Sequence, residues 1–186
     1  MGYDTNRAAT VIAQTKKWIT DVVVGCNFCP FAARVIKSNG IHYQVEDVTE
    51  MAASLESLWE ECRRLDREEA IDTTLLIFPD GFQRFDDYLD LVGFAEKWLR
   101  KNGYEGIYQV ASFHPLYRFA QTAADDPANY TNRSIYPMLH LLREEQITKA
   151  LSHYAAPERI PADNIQFARQ KGELYMRLLR AACIGE

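Results

Sequence analysis

Apolar positions along the chain recur in two rhythms, and each predicts a different element. In segment 51–65, Met51, Leu55, Leu58, Trp59, Cys62 and Leu65 fall at helical spacing and lay one apolar stripe along a helix. Phe85, Tyr88, Leu89, Val92, Ala95 and Leu99 repeat the pattern, and Asn102-Gly103 supplies residues that tolerate a left-handed helix end. A further helix is predicted from Pro161 through Ile165, Ala168, Gly172, Tyr175, Leu179 and Ala182, with Gly172 allowing a neighbour to approach closely. An N-terminal helix is expected from about Asn6 to Thr20. Short runs rich in β-branched and aromatic residues lie between helices: Ile41 to Val45, Thr73 to Phe78 and Ile107 to Phe113. Val22-Val23-Val24 fits a strand or a helix end equally.

Strands that alternate with helices argue for crossover connections. The expected fold is therefore α/β, with a small, mainly parallel sheet, crossover helices and additional N- and C-terminal helices. With 186 residues and no internal repeat, low-complexity tract or linker, residues 1–186 are expected to form a single globular domain. Segment 135–154 is predicted to be one more helix, opened by Ser134 and Pro137. His140, Glu144, Ile147 and Leu151 share one of its faces. The longest stretch without a period, from Pro115 to Ser134, contains Tyr117, Phe119, Tyr130 and the pair Asp125-Asp126. A loop of that length inside a domain is expected to be functional.

Composition narrows the function classes. Hydrophobic residues at 47% and charged residues at 25% suit an ordinary globular protein, and the net charge of −5 gives no basic footprint for nucleic acid. No apolar run is long enough for a membrane span. The opening Met1-Gly2-Tyr3-Asp4-Thr5-Asn6 lacks the basic start and apolar core of a signal peptide. Four cysteines in such a chain are expected to be thiols, which points to a reducing cytoplasm. The partner expected is a small molecule, with neither nucleic acid nor membrane; the oligomeric state is left open.

In open parallel sheets ligands bind beyond the carboxyl ends of the strands. That rule selects His114, Asp47 and Asp80. His114, stiffened by Pro115 directly after a predicted strand, is the expected general acid or base, against the alternative of a histidine that ties down a loop carbonyl. Cys29, followed by Pro30, is expected at the N-cap of a short helix ending at Asn39-Gly40. There the helix dipole would favour its thiolate, making it the expected nucleophile, against an inert core cysteine. Tyr117, Asn129, Asn132, Arg133 and Arg143 are the expected substrate contacts, because guanidinium forks and amides suit a polar or anionic molecule. Asp125 and Asp126 are expected to support them from behind. An alternative set, His114, His140 and Glu144, would hold a metal ion, and the cofactor is otherwise unknown. A third reading makes the same polar residues a rigid network in a non-catalytic binding or interaction protein.

Two resemblances bear on these residues. Cys26-Asn27-Phe28-Cys29, followed by a helix and a strand, is locally similar to the Cys-x-x-Cys turn of glutaredoxins and omega-class glutathione transferases. Nearly the whole chain resembles the bacterial family called domain of unknown function 1415. The match is carried by Cys29-Pro30-Phe31-Ala32, Asp72 to Ile77, Gln109 to Tyr117, Asp125-Asp126 with Asn129 to Ser134, Tyr136-Pro137 and His140 to Glu144. That resemblance implies no reaction. In it the position of Cys26 is typically apolar, which leaves Cys29 as the cysteine of interest.

Overall fold

The computed structural model describes residues 5–152 and 154–185. The first four residues, on which the signal-peptide reading partly rests, lie outside them. In chain order the elements are α1 (Thr5–Trp18), a π-helical segment (Ile19–Val24), α2 (Ala32–Lys37), β1 (Ile41–Val45), α3 (Met51–Arg67), β2 (Thr73–Ile77), α4 (Phe85–Lys101) and β3 (Tyr108–Phe113). A 3-10 turn (Pro127–Thr131), β4 (Met138–Arg143), α5 (Glu144–Leu151), a second 3-10 turn (Pro157–Arg159), α6 (Ile160–Lys171) and α7 (Glu173–Ala181) follow. The fold is α/β, as the alternation predicted.

The sheet order is β1-β2-β4-β3, with β1 and β2 parallel and β4 antiparallel to both its neighbours. The expectation of a mainly parallel sheet is thus corrected. β1, β2 and β3 do run the same way, but β4 is inserted between β2 and β3, so β1 with β2 is the only parallel pair in this sheet. The insertion also overturns the predicted helix over 135–154. Met138 to Leu142 pairs on both edges and is covered on both faces, which favours an apolar run without period, interrupted here by His140 alone. Helix begins only at Glu144. The spacing of His140, Glu144, Ile147 and Leu151 therefore straddles two elements and defines no common face.

Side chains alternate between two helical layers. One core joins Leu76, Leu139, Leu141 and Tyr108 to Leu58, Cys62 and Leu65 of α3 and Tyr88, Leu91, Ala95 and Leu99 of α4. The other joins Val45, Leu75, Ile77 and Met138 to Val11 and Trp18 of α1, the π-helical Ile19, Val22 and Val23, and Ala168 and Met176 of the last helices. The valine run proves helical, in the wide form that frequently marks functional sites.

The predicted C-terminal helix is two helices. Gly172 has φ of +82°, a conformation that breaks the helix, and a Cβ placed there would meet nothing within 4 Å. Gly172 therefore serves the turn, with no neighbour needing its lack of a side chain.

Candidate functional site

His114 leaves the carboxyl end of β3, as predicted, but it faces the α4 layer and is fully buried. Its Nδ1 accepts the Leu116 N–H at 2.9 Å. That fixes the proton on Nε2, which donates to the Phe82 carbonyl at 2.9 Å. Its ring packs 4.9 Å from that of Tyr88 and 5.2 Å from that of Phe85. Burial lowers its pKa, so the imidazole is neutral with both nitrogens engaged. Tyr88 completes the corner by donating to the Met138 carbonyl at 2.8 Å and accepting the Phe113 N–H at 2.9 Å.

The other polar residues of the long loop hold the loop to itself. Asn129, fully buried, accepts from the Phe119 N–H and the Thr122 hydroxyl through Oδ1 and donates to the Ala123 carbonyl through Nδ2. Asn132 donates to the Ser112 carbonyl, tying the loop to β3. Arg133 donates to the Tyr117 and Ala124 carbonyls and lies 4.8 Å over the Tyr130 ring. Asp126 accepts the Ala128 N–H at the start of the 3-10 turn and pairs with Arg169 at 2.8 Å, contacts that hold its carboxyl below the usual range. Tyr117 packs edge-on against Phe85 and Phe119, and Asp125 is exposed. Arg143, on the opposite side of the sheet from His140, donates to the Ile71, Leu65 and Glu68 carbonyls. None of these side chains is left aimed at a common open space.

Cys29 is not an N-cap. α2 begins at Ala32 after Phe31, and Cys29 contributes only its carbonyl, which accepts the Ala32 N–H at 3.2 Å. Its thiol lies on the α1 layer, so the expected nucleophile and the expected acid or base, His114, lie on opposite faces of the sheet. The segment before Cys26 is helical, unlike the strand that precedes the glutaredoxin turn, and both cysteines are free thiols. The trio His114, His140 and Glu144 is also dispersed, to the carboxyl edge, the mid-sheet and the first residue of α5. Among the described residues no three His, Cys, Asp or Glu side chains gather as a metal site requires.

What the structure does bring together is Cys29 and His140. Both line a cavity of about 310 Å³ on the α1 face of the sheet, away from the expected carboxyl edge. Its floor is Ile41, Leu75, Ala111, Phe113, His140 and Leu142, all pointing to one face. Register sets Leu75 and Ala111 on either side of His140, and the small Ala111 leaves the space above β3 open. Trp18, Ile19 and Val23 wall one side, Cys29, Phe31, Ala32 and Val35 another, and Ile147 and Ala150 of α5 a third. Asp72, Thr73, Gln109 and Arg143 lie at the amino-edge rows, with Arg34 and Gln146 on the flanking helices. His140 makes no hydrogen bond among the described residues. It touches the Phe113 ring at a centroid distance of 5.9 Å, and burial pushes its pKa down to about 4.

Sequence reading missed this cavity because its defining residue is an alanine within a strand. The only available signal was the small residue at an inward position of the run Gln109-Val110-Ala111-Ser112-Phe113. No helix among the described residues is long and apolar enough to cross a membrane. No curated protein and no solved structure matches the chain. The family model described as "Protein of unknown function (DUF1415)" matches residues 10–177. Spanning most of the chain, that match identifies it as a member of the domain of unknown function 1415 family.

Proposed function

We propose that the protein binds a small, largely apolar molecule in the cavity over Leu75, Ala111 and His140, and that the Pro115 to Ser134 loop is its scaffold. The observation that carries this reading is a half-buried imidazole, without a hydrogen-bond partner among the described residues, that faces an otherwise carbon-rich cavity, where a ligand can supply the partner that solvent otherwise provides. At the ~30 Å³ that one water occupies in the liquid, the space holds roughly ten non-hydrogen atoms. Cys29 and His140 are the polar contacts, and Cys29 takes the role of a wall thiol beside the ligand. His114, with both nitrogens occupied, holds the loop corner in this reading.

The test is Ala111→Leu, which fills the cavity beside His140 without adding a polar atom. Equilibrium dialysis against naphthalene, a ten-carbon hydrocarbon probe, should show binding to the native protein and loss of it in the variant. Because the added methyl groups occupy existing space, the melting temperature should hold or rise. A variant that keeps its fold and still binds naphthalene as well as the native protein would overturn the proposal.

A further inference from the structure

We infer that the cavity is built for a neutral aromatic alcohol, its hydroxyl paired with His140 and its ring lying among Trp18, Phe31 and Phe113; this rests on the cavity reading above. The first support is depth. Leu142, Thr73 and Gln109 form one row across the sheet, and His140 lies two residues further in, about 7 Å at the usual ~3.3 Å rise per residue. His140 is therefore set back along the strands from the polar residues of that row.

The second support is availability. Of the rim groups, Asp72 accepts from the Ser38 hydroxyl, Thr73 donates to the Leu141 carbonyl, and Arg143 is committed to three carbonyls on the opposite face. Trp18 spends its ring N–H on the Arg133 carbonyl. His140 has no such partner among the described residues; with the Cys29 thiol it is the polar group of the interior, while Gln109 in the rim row and Arg34 and Gln146 on the flanking helices are the other polar groups of the lining.

The third is the chemistry of that group. A half-buried, neutral imidazole offers one donor and one acceptor, and a hydroxyl satisfies either. A carboxylate or an ammonium would carry a net charge into a carbon-lined space, where desolvation is costly. A bare hydrocarbon would leave the imidazole as unpaired as before. The lining favours a flat ring, for Trp18 and Phe113 meet edge-on at 5.3 Å and Phe113 tilts against His140. Ten carbons with one hydroxyl also match the volume.

Equilibrium dialysis at neutral pH with 2-naphthol, naphthalene and 2-naphthoate separates the possibilities. The native protein should bind 2-naphthol about tenfold more tightly than naphthalene, the scale of one hydrogen bond recovered in a buried site, and 2-naphthoate more weakly than either. In His140→Phe the advantage of the hydroxyl should vanish while naphthalene still binds. His140→Leu, which matches its neighbour Leu75, serves if the phenylalanine does not fold, and the ligand series on the native protein needs no variant. Equal binding of 2-naphthol and naphthalene would overturn hydroxyl recognition but leave the cavity reading standing. Tightest binding of 2-naphthoate would overturn it in favour of an anion held at Arg34. Failure of all three compounds would remove the cavity reading itself.

Discussion

Replacing His114 by alanine tests whether the most conspicuous histidine serves chemistry or architecture. The substitution removes a ring that is fully buried between Phe85 and Tyr88, and with it the donor to the Phe82 carbonyl and the acceptor for the Leu116 N–H. Leaving a buried backbone group unpaired costs about 1–3 kcal/mol, and each lost aromatic contact adds about 0.5–1.5 kcal/mol. Local relaxation and access of water to the more exposed Leu116 reduce the sum, so the expected loss is about 3–5 kcal/mol. That is a large fraction of a domain's total stability. Equilibrium urea unfolding, followed by tryptophan fluorescence, should show a lower midpoint with an unchanged slope. Naphthalene binding by the folded variant should persist. A loss below about 1 kcal/mol, together with abolished binding, would refute the architectural role and restore His114 as a functional group.

Three further outcomes follow from the same contacts. Asn129→Ala strands the Phe119 N–H and the Ala123 carbonyl, while the Thr122 hydroxyl keeps the Phe119 carbonyl, so it should cost about 2–4 kcal/mol in urea unfolding and expose the 115–134 loop to limited proteolysis. Stability should fall with acid, because His140 stays neutral in the fold down to about 4 while the unfolded chain takes up the proton near 6.5. The loss accumulates as pH drops through that window and reaches about 3 kcal/mol for this group, with the depressed His114 adding in the same direction; His140→Phe should flatten the melting temperature against pH. Gly172→Ala, at φ of +82°, should lower stability by about 1 kcal/mol in thermal unfolding although no atom obstructs the new methyl group.

The outer elements were legible because amphipathic helices declare themselves. Leu58, Cys62 and Leu65 of α3 and Tyr88, Ala95 and Leu99 of α4 are buried where their spacing put them, whereas Trp59 and Leu89 of the same stripes are exposed and Leu91 is buried instead; β1, β2 and β3 fall on their predicted runs. The central strand was not legible. Met138 to Leu142 is apolar at nearly every position because both faces are covered, and the helical spacing of His140, Glu144, Ile147 and Leu151, behind a helix-start signal at Ser134 and Pro137, runs across the end of that strand into α5. The same misreading put His140 on a helix with Glu144 and hid its position between Leu75 and Ala111. The polar residues from Ser112 to Arg143 were selected correctly as unusual, but their destinations are backbone carbonyls and amides, which no side-chain motif records. Cys29 was singled out for a dipole that the two residues ahead of α2 do not provide, yet it reaches a cavity wall through the course of the chain around Pro30.

The insertion of β4 between β2 and β3 also dictates an order of events. During synthesis β1 and β2 are both present before β3, but β3 has no neighbour until Met138 to Arg143 has followed it, and that last strand joins the β1-β2 pair to β3. The sheet is therefore completed by contacts distant in sequence, Thr73 with Leu142 among them, whose loop-closure entropy is paid before any pairing rewards it. A nascent chain halted before residue 138 would carry the open edges of β2 and β3 and a cavity floor lacking His140 and Leu142. The ligand, if it binds where His140 is offered, can meet only a finished sheet, and so would report on completed folding.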